Sequence, residues 1–385
     1  MVVMPDDTRR DPLLLSNGAS RLPAVDVDTY NEELRDGEGF IGDRASSRAF
    51  RAILDDWRER MRELGEEDPL GERPSKEIPK KKLDRVLRDG DPLAAGLVHT
   101  AIEDFAGELA TVTNRFLRLK QWKGTERIIV GGGLRASRVG ELAIGRAAVL
   151  VKAAGHAVDL VPIRHDPDEG GLIGSVHLAP SWIFRGSDAM LAVDIGGSNI
   201  RAGVVELKLA EKADLSECAV RASELWRYSD EDPKPKREEA VERLVAILQD
   251  LVKTAKKQGL RLAPLIGVAC PGVIAKDGSI ERGGQNLPGN WESSRFNLTE
   301  RLRAGIPRIE EHETHVVIHN DAVVQGLSEV PFMRDIERWG ILTIGTGLGN
   351  ARFTNRQVEA PESAAPDTTP PSTETPESDS AVSSR

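Results

Sequence analysis

Two glycine-rich turns of one design constrain this chain more than any other feature. Residues 191–203 read LAVDIGGSNIRAG and residues 341–353 read ILTIGTGLGNARF. Each is an apolar run of strand length, a turn of small residues, and a second strand-like run. Glycine reaches positive φ and keeps side chains out of a turn, so successive amides can face inward as a nest for anionic oxygens. The first nest would use Gly196, Gly197, Ser198 and Asn199, with Arg201 on the returning strand. The second would use Gly345, Thr346, Gly347 and Gly349. Facing each other across a cleft, two such nests would clamp a polyphosphate. Asp194 ends the first apolar run. A carboxylate there cannot bind phosphate directly, but it suits Mg2+ held through waters. A single glycine turn is an ordinary strand connection. The matched pair, one led by an aspartate, points to a ligand. No GxxxxGK[ST] phosphate loop occurs.

A third glycine run, Gly131, Gly132 and Gly133, follows the strand-like RIIV. It reads either as a strand-to-helix turn or as a floor without side chains, against which a purine would lie. The segment VVIHNDAVVQGLSEV puts Asn320 and Asp321 where a strand ends and a helix begins. Both residues cap helices well, and one cap needs only one of them. The second role open to Asp321 is that of general base, accepting a proton from a hydroxyl as its oxygen attacks phosphorus. A helix N-terminus would hold that carboxylate charged and lower its basicity. Asn320 would anchor a neighbouring hydroxyl. Asn286 and Asn290 lie on a turn-rich stretch beside Trp291. Their neutral amides suit sugar hydroxyls, which both donate and accept, although each taken singly reads first as a turn residue.

Around these motifs, helical and strand periods alternate, as in an α/β protein. Phe50, Leu54, Trp57, Met61 and Leu64 mark a helix over 47–64, and Leu97 to Leu119 mark a longer one over 91–120. A further helix is predicted over 237–257. Residues 65–82 are charged and broken by prolines, so they read as a solvated connector; its lysines could touch a phosphate, but position alone does not argue for it. The first thirty residues read as loop with at most one short strand. The Pro, Ser, Thr and Glu-rich stretch 356–385 reads as a disordered tail. A length of 385 residues suits two domains. With 52 basic and 62 acidic residues the net charge is -10, and no positive stripe dominates, which argues against nucleic acid as a partner. No run approaches the roughly twenty apolar residues of a membrane span, so a cytoplasmic protein without membrane contact is expected. Cys218 and Cys270 are the two cysteines, too few and too far apart for a disulfide scaffold or a cysteine zinc site.

Taken together, these segments resemble the ROK family of bacterial sugar kinases and related repressors, which share the actin-like ATPase (ribonuclease H-like) fold. DIGGSNIRAG resembles that family's first phosphate loop, LTIGTGLG its second, IHNDAVVQGLSE the segment with the catalytic aspartate, here Asp321. GVACPGVI and GGQNLPGNW resemble its sugar-side loops, IIVGGGL its adenosine motif, and EGGLIGSVHLA its closing helix. In the family the last two come at the end. Here they come first, so the resemblance implies a circular permutation, with old ends joined near residues 181–190. It implies a two-lobed fold: 31–187 plus 321–355 as the nucleotide-side lobe, and 188–320 as the smaller lobe. It also implies ATP and Mg2+ as cofactors, a hexose, glucose first, as substrate, and a homodimer as a possible assembly.

Two departures bear on the sugar side. The family's GExGH element and its cysteine-rich zinc loop are absent, so no zinc site is expected. Glu32 and Glu33 fall near where a family sugar-contacting glutamate would land, and His319 adjoins Asn320. No helix-turn-helix resembling the family's repressors is found. The alternatives to a glucokinase-like enzyme are a sugar-binding regulatory protein that has lost catalysis and a kinase for another hexose or amino sugar.

Overall fold

The computed structural model describes residues 15–37 and 39–356. In chain order the strands of its two large sheets are β1 (Val25–Tyr30), β2 (Arg127–Gly131), β3 (Asp159–Pro162), β4 (Ala189–Ile195), β5 (Ile200–Glu206), β6 (Ala219–Trp226), β7 (Leu262–Cys270), β8 (His315–Asn320), β9 (Arg338–Ile344) and β10 (Leu348–Asn355). The helices are α1 (Ser47–Glu63), α2 (Lys80–Asp89), α3 (Pro92–Leu117), α4 (Arg138–Ala153), α5 (Pro167–Gly174), α6 (Arg237–Lys257), α7 (Leu298–Gly305) and α8 (Asp321–Leu327). This is an α/β architecture with mixed sheets.

One sheet runs β1-β10-β9-β2-β3, the other β8-β7-β4-β5-β6. Both follow the same plan. A central strand, β9 or β4, pairs antiparallel with the strand after it, which pairs antiparallel with an edge strand. Two parallel strands complete the other side. In the second sheet these strands follow chain order. In the first, the start of the chain supplies the edge and its end supplies the central hairpin, with Val25 opposite Asn355.

Each sheet buries both faces, and the two-residue period of its strands sorts side chains between them. Ile128 and Val130 of β2, with Leu342 and Ile344 of β9, face α1 to α4. Leu191, Val193, Ile266 and Val268 face α6 and α7. The inner faces meet in a third cluster, where Ile129, Ile341 and Phe353 join Met190, Ala192 and Leu265 around α5 and α8. Small residues let those two helices cross closely. A Cβ on Gly174 would lie 1.7 Å from the Val324 carbonyl oxygen. Helix starts are marked locally: Asp91, Ser137 and Asp166 cap α3, α4 and α5 with their side chains, and proline opens α3 and α5.

Within the first thirty residues the one short strand is β1, formed because Val25 and Val27 alternate into the core and β10 offers an open edge. Residues 1–14 and 357–385, including nearly all of the predicted tail, lie outside the described residues. The connector 65–82 is organised rather than solvated. Leu70 and Ile78 are buried, and the loop wraps the buried Arg58. That guanidinium donates to Asp68 at 2.8 Å, to Ser75 Oγ at 2.8 Å, and to the Gly71 and Arg73 carbonyls at 2.6 and 2.7 Å.

Candidate functional site

Asp194 stands at the end of β4 on the face of Met190 and Ala192, so its side chain turns inward to α5. A Cβ on Gly171 would lie 2.6–2.9 Å from the Asp194 carboxyl group, so only glycine leaves room for that acid. Burial, with Asp321 facing it, pushes the Asp194 carboxyl up to about 6, while Arg201 pulls the other way. Burial likewise raises Asp321 to about 6, against the lowering effect of its hydrogen bond from the Ala322 amide at 2.9 Å. The expectation that the helix N-terminus would lower Asp321 is therefore overturned: desolvation outweighs the amide. The charge of Asp321 adds to the rise at Asp194. Cys270 sits near both acids, and burial keeps its thiol well above its ordinary value.

The glycine turns differ from expectation in how glycine is used. Among the predicted site glycines only Gly132 adopts positive φ, at +84°. A Cβ there would also strike the Ile344 backbone within 2.4 Å. Gly349 is required by packing, since a Cβ would lie 2.3 Å from Thr343 Oγ1. By contrast, a Cβ on Gly347 would meet nothing within 4 Å, and on Gly345 or Gly196 nothing nearer than 3.6 Å. Neither strain nor packing demands glycine at those three positions; each leaves open space beside the backbone. Both turns close on themselves, Gly196 N–H to the Asn199 carbonyl at 2.8 Å and Gly345 N–H to the Gly347 carbonyl at 2.9 Å. The amides of Gly197, Ser198, Thr346 and Gly347 donate to no protein group among the described residues.

Contacts link these parts. Gly131 lies opposite Thr343 in the β2–β9 ladder, so the third glycine run adjoins the second turn despite the chain between them. A Cβ on Gly349 would touch Ala322 at 3.1 Å, so the second hairpin borders the first turn of α8. Gly197 faces Asn286 at 3.1 Å on the same construction, and Tyr228 donates to the Gly196 carbonyl at 2.6 Å.

Other predicted residues have different work. Arg201 is committed to α5, with one guanidinium nitrogen 2.9 Å from the Asp168 carboxylate and another on the Asp168 carbonyl. Asn320 is the cap of α8, accepting from Ala322 and Val323 and donating to the Gly272 carbonyl at 3.0 Å. Both ends of its amide are therefore taken. Asn290 makes turn contacts, accepting from the Glu292 amide at 3.0 Å and, through its carbonyl, from Arg237. His319 is fully buried and held neutral, its pKa lowered to about 4 by burial. Its Nδ1 accepts from Asn320 N–H at 2.7 Å and its Nε2 lies 3.0 Å from the Ala19 carbonyl. Glu32 binds Thr29 Oγ1 and Asn350.

Several groups escaped the sequence reading. Gln325, one turn after Asp321, is buried with its Oε1 lacking any donor, against Gly131 and Gly170. Asp168 anchors Arg201. Lys80 donates to the Gly133 carbonyl and Arg48 to the Thr346 carbonyl, the latter at 3.0 Å. The pair Gly170-Gly171 inside a helix was the available signal, since glycine mid-helix costs stability and marks close approach. Among the described residues, no group of three or more His, Cys, Asp or Glu is arranged to hold a metal, and no helix is long and apolar enough to cross a membrane.

Fold and site together define an α/β protein with an acidic pair set beside glycine turns. No family model and no curated protein matches the chain. Among solved structures, it is similar to the ROK hexokinase from Thermus thermophilus, with 22% identity over 35% of this chain and 35% of that one, and a TM-score of 0.25. It is similar to a ROK family glucokinase from Streptomyces griseus in complex with glucose and AMPPNP, at 20% identity over 44% and 47%, TM-score 0.32. It is also similar to the PPX-GPPA enzyme of Aquifex aeolicus, at 15% identity over 65% and 87%, TM-score 0.26. The matched region spans less than half the length of each of the two kinases.

Proposed function

We propose that the chain is an ATP-dependent sugar kinase of the ROK family, glucokinase-like, on a circularly permuted two-lobed actin-like fold. The lobes would be 31–187 with 321–355, and 188–320. Two sheets of one strand order, one of them closed by both chain ends, support the permutation. The single observation that carries the activity is the Asp194–Asp321 pair, both acids raised to about 6 and bordered by turns with unengaged amides.

The residues present fit MgATP. Asp194 would hold Mg2+ through waters, the free amides of Gly197, Ser198, Thr346 and Gly347 would take phosphate oxygens, and Gly131–Gly133 would border the base. Bound there, MgATP supplies the phosphoryl group. Asp321 accepts the proton of the hexose hydroxyl, and a carboxyl near 6 is a stronger base than an ordinary aspartate while staying largely ionised at neutral pH. Asn286, beside the first turn, is the sugar-side amide left free to meet the substrate.

The test is ADP formation from MgATP across a hexose panel. Glucose-dependent turnover in the native chain, lost by at least about a hundredfold in Asp321→Asn, is expected. Absence of turnover with every hexose, or full turnover in Asp321→Asn, would refute it. A second reading, a regulatory protein that binds sugar without catalysis, is favoured by the engagement of Asn320 and Asn290 in caps and turns. Its result would be sugar binding without ADP formation.

A further inference from the structure

Two cations from α1 and α2, Arg48 and Lys80, reach carbonyls of the glycine turns, and a third, Arg51, acts on Lys80. Ser47 opens α1 with its N–H on the Gly345 carbonyl at 3.0 Å, which seats that helix on the second turn. Arg48 follows, with its Nε on the Thr346 carbonyl. Arg51, one turn on, is half-buried and donates to the Ser75 carbonyl at 2.9 Å. Lys80, at the first position of α2, is half-buried with its Nζ on the Gly133 carbonyl. A Cβ on Gly133 would meet only that Nζ, at 3.3 Å.

None of the three cations forms an ion pair among the described residues. Most other half-buried or buried arginines here do: Arg58, Arg201 and Arg352 all pair with aspartates. Burial lowers the pKa of both Arg51 and Lys80; Asp55 partly offsets it at Arg51, and at Lys80 the Arg51 charge adds to it while Asp168 and Asp84 oppose it. Arg51 and Lys80 are partly desolvated cations whose hydrogen-bond partners are neutral carbonyls, an incomplete arrangement. What would complete it is an anion lying between α1, α2 and the turns. The carbonyls of Gly133 and Thr346 are the sides of those turns that the cations already touch, while the amides of Thr346 and Gly347 are unengaged.

We propose that Lys80, supported by Arg48 and Arg51, forms a cationic wall that binds the polyphosphate chain of the donor over the second glycine turn. The wall would be supplied by the segment 47–89, outside both phosphate turns. It rests on the kinase reading for the identity of the donor, but its chemistry, recognition of linked phosphates by ammonium and guanidinium groups, stands on these contacts. Lys80 contributes a point charge that can turn from the Gly133 carbonyl to a phosphate oxygen.

The experiment is calorimetric titration of the native chain, Lys80→Met and Arg48→Ala with adenosine, AMP, ADP, ATP and inorganic tripolyphosphate, with circular dichroism melts of each variant. Lys80→Met should weaken ATP and tripolyphosphate about tenfold or more, and adenosine less than twofold. Lys80→Arg should restore part of the loss. Equal weakening of adenosine and ATP, or unchanged ATP binding in Lys80→Met and Arg48→Ala, would overturn the wall. Tripolyphosphate binding without ATP binding in the native chain would instead remove the nucleotide and leave the wall standing.

Discussion

The Asp194–Asp321 pair makes the native state less stable as pH rises. Asp194 has an ordinary value of 3.8 and is pushed up to about 6 by burial and by Asp321. Below 3.8 both folded and unfolded chains hold the proton, and there is no penalty. Between 3.8 and 6 the folded chain binds more protons than the unfolded one, so stability falls as pH rises. Above 6 the penalty is complete, about 3 kcal/mol at ~1.4 kcal/mol for each tenfold change in proton affinity. Asp321, raised to about 6 by burial, adds a similar penalty. Asp194→Asn keeps the shape and removes its own desolvation cost together with the mutual repulsion. Urea unfolding at pH 4, 5, 6, 7 and 8 should show the variant nearly equal to the native chain at pH 4 and more stable by about 2–3 kcal/mol above pH 7. Asp321→Asn should behave alike. The double variant should gain less than the sum of the singles, because the repulsion is removed only once. A gain that does not change with pH, or a loss of stability at pH 8, would refute the account.

Other outcomes follow from single contacts. Mg2+ should raise the melting temperature of the native chain at pH 8 more than at pH 4.5, and this increment should vanish in Asp194→Asn, measured by scanning calorimetry. Gly347→Ala should leave stability within about 0.5 kcal/mol in urea, since its Cβ meets nothing, yet weaken ATP. Gly132→Ala combines positive φ with a backbone clash and should cost more than about 3 kcal/mol in the same measurement. Arg58→Met leaves the Gly71 and Arg73 carbonyls without their donor, while Asp68 keeps Arg62 and the Leu70 amide, and should cost about 2–3 kcal/mol, read as a lower urea midpoint.

Much of this molecule was legible from local pattern. The helices over 47–63 and 92–117 announced themselves by apolar spacing, because a buried stripe must recur every three or four residues wherever the helix ends up. The hairpins around Gly196 and Gly345 were legible from apolar runs of strand length broken by glycine turns, and the Asn320-Asp321 step showed where a strand becomes a helix. What side chains do at those places depends on neighbours far away in the chain. Asp321 titrates upward because burial strips water from its carboxyl, which no capping rule contains. Arg201 and Asn320, free by their sequence context, are consumed by Asp168 and Gly272. Gly345 and Gly347 keep glycine for open space rather than for φ. Lys80 sits in a stretch that looked like solvated linker, and only the packing of α2 carries it to Gly133. Periodicity and turn chemistry are properties of adjacent residues and so belong to the sequence. Burial, charge pairing and strand order between chain ends are sums over the whole packed molecule, and tertiary structure alone decided them.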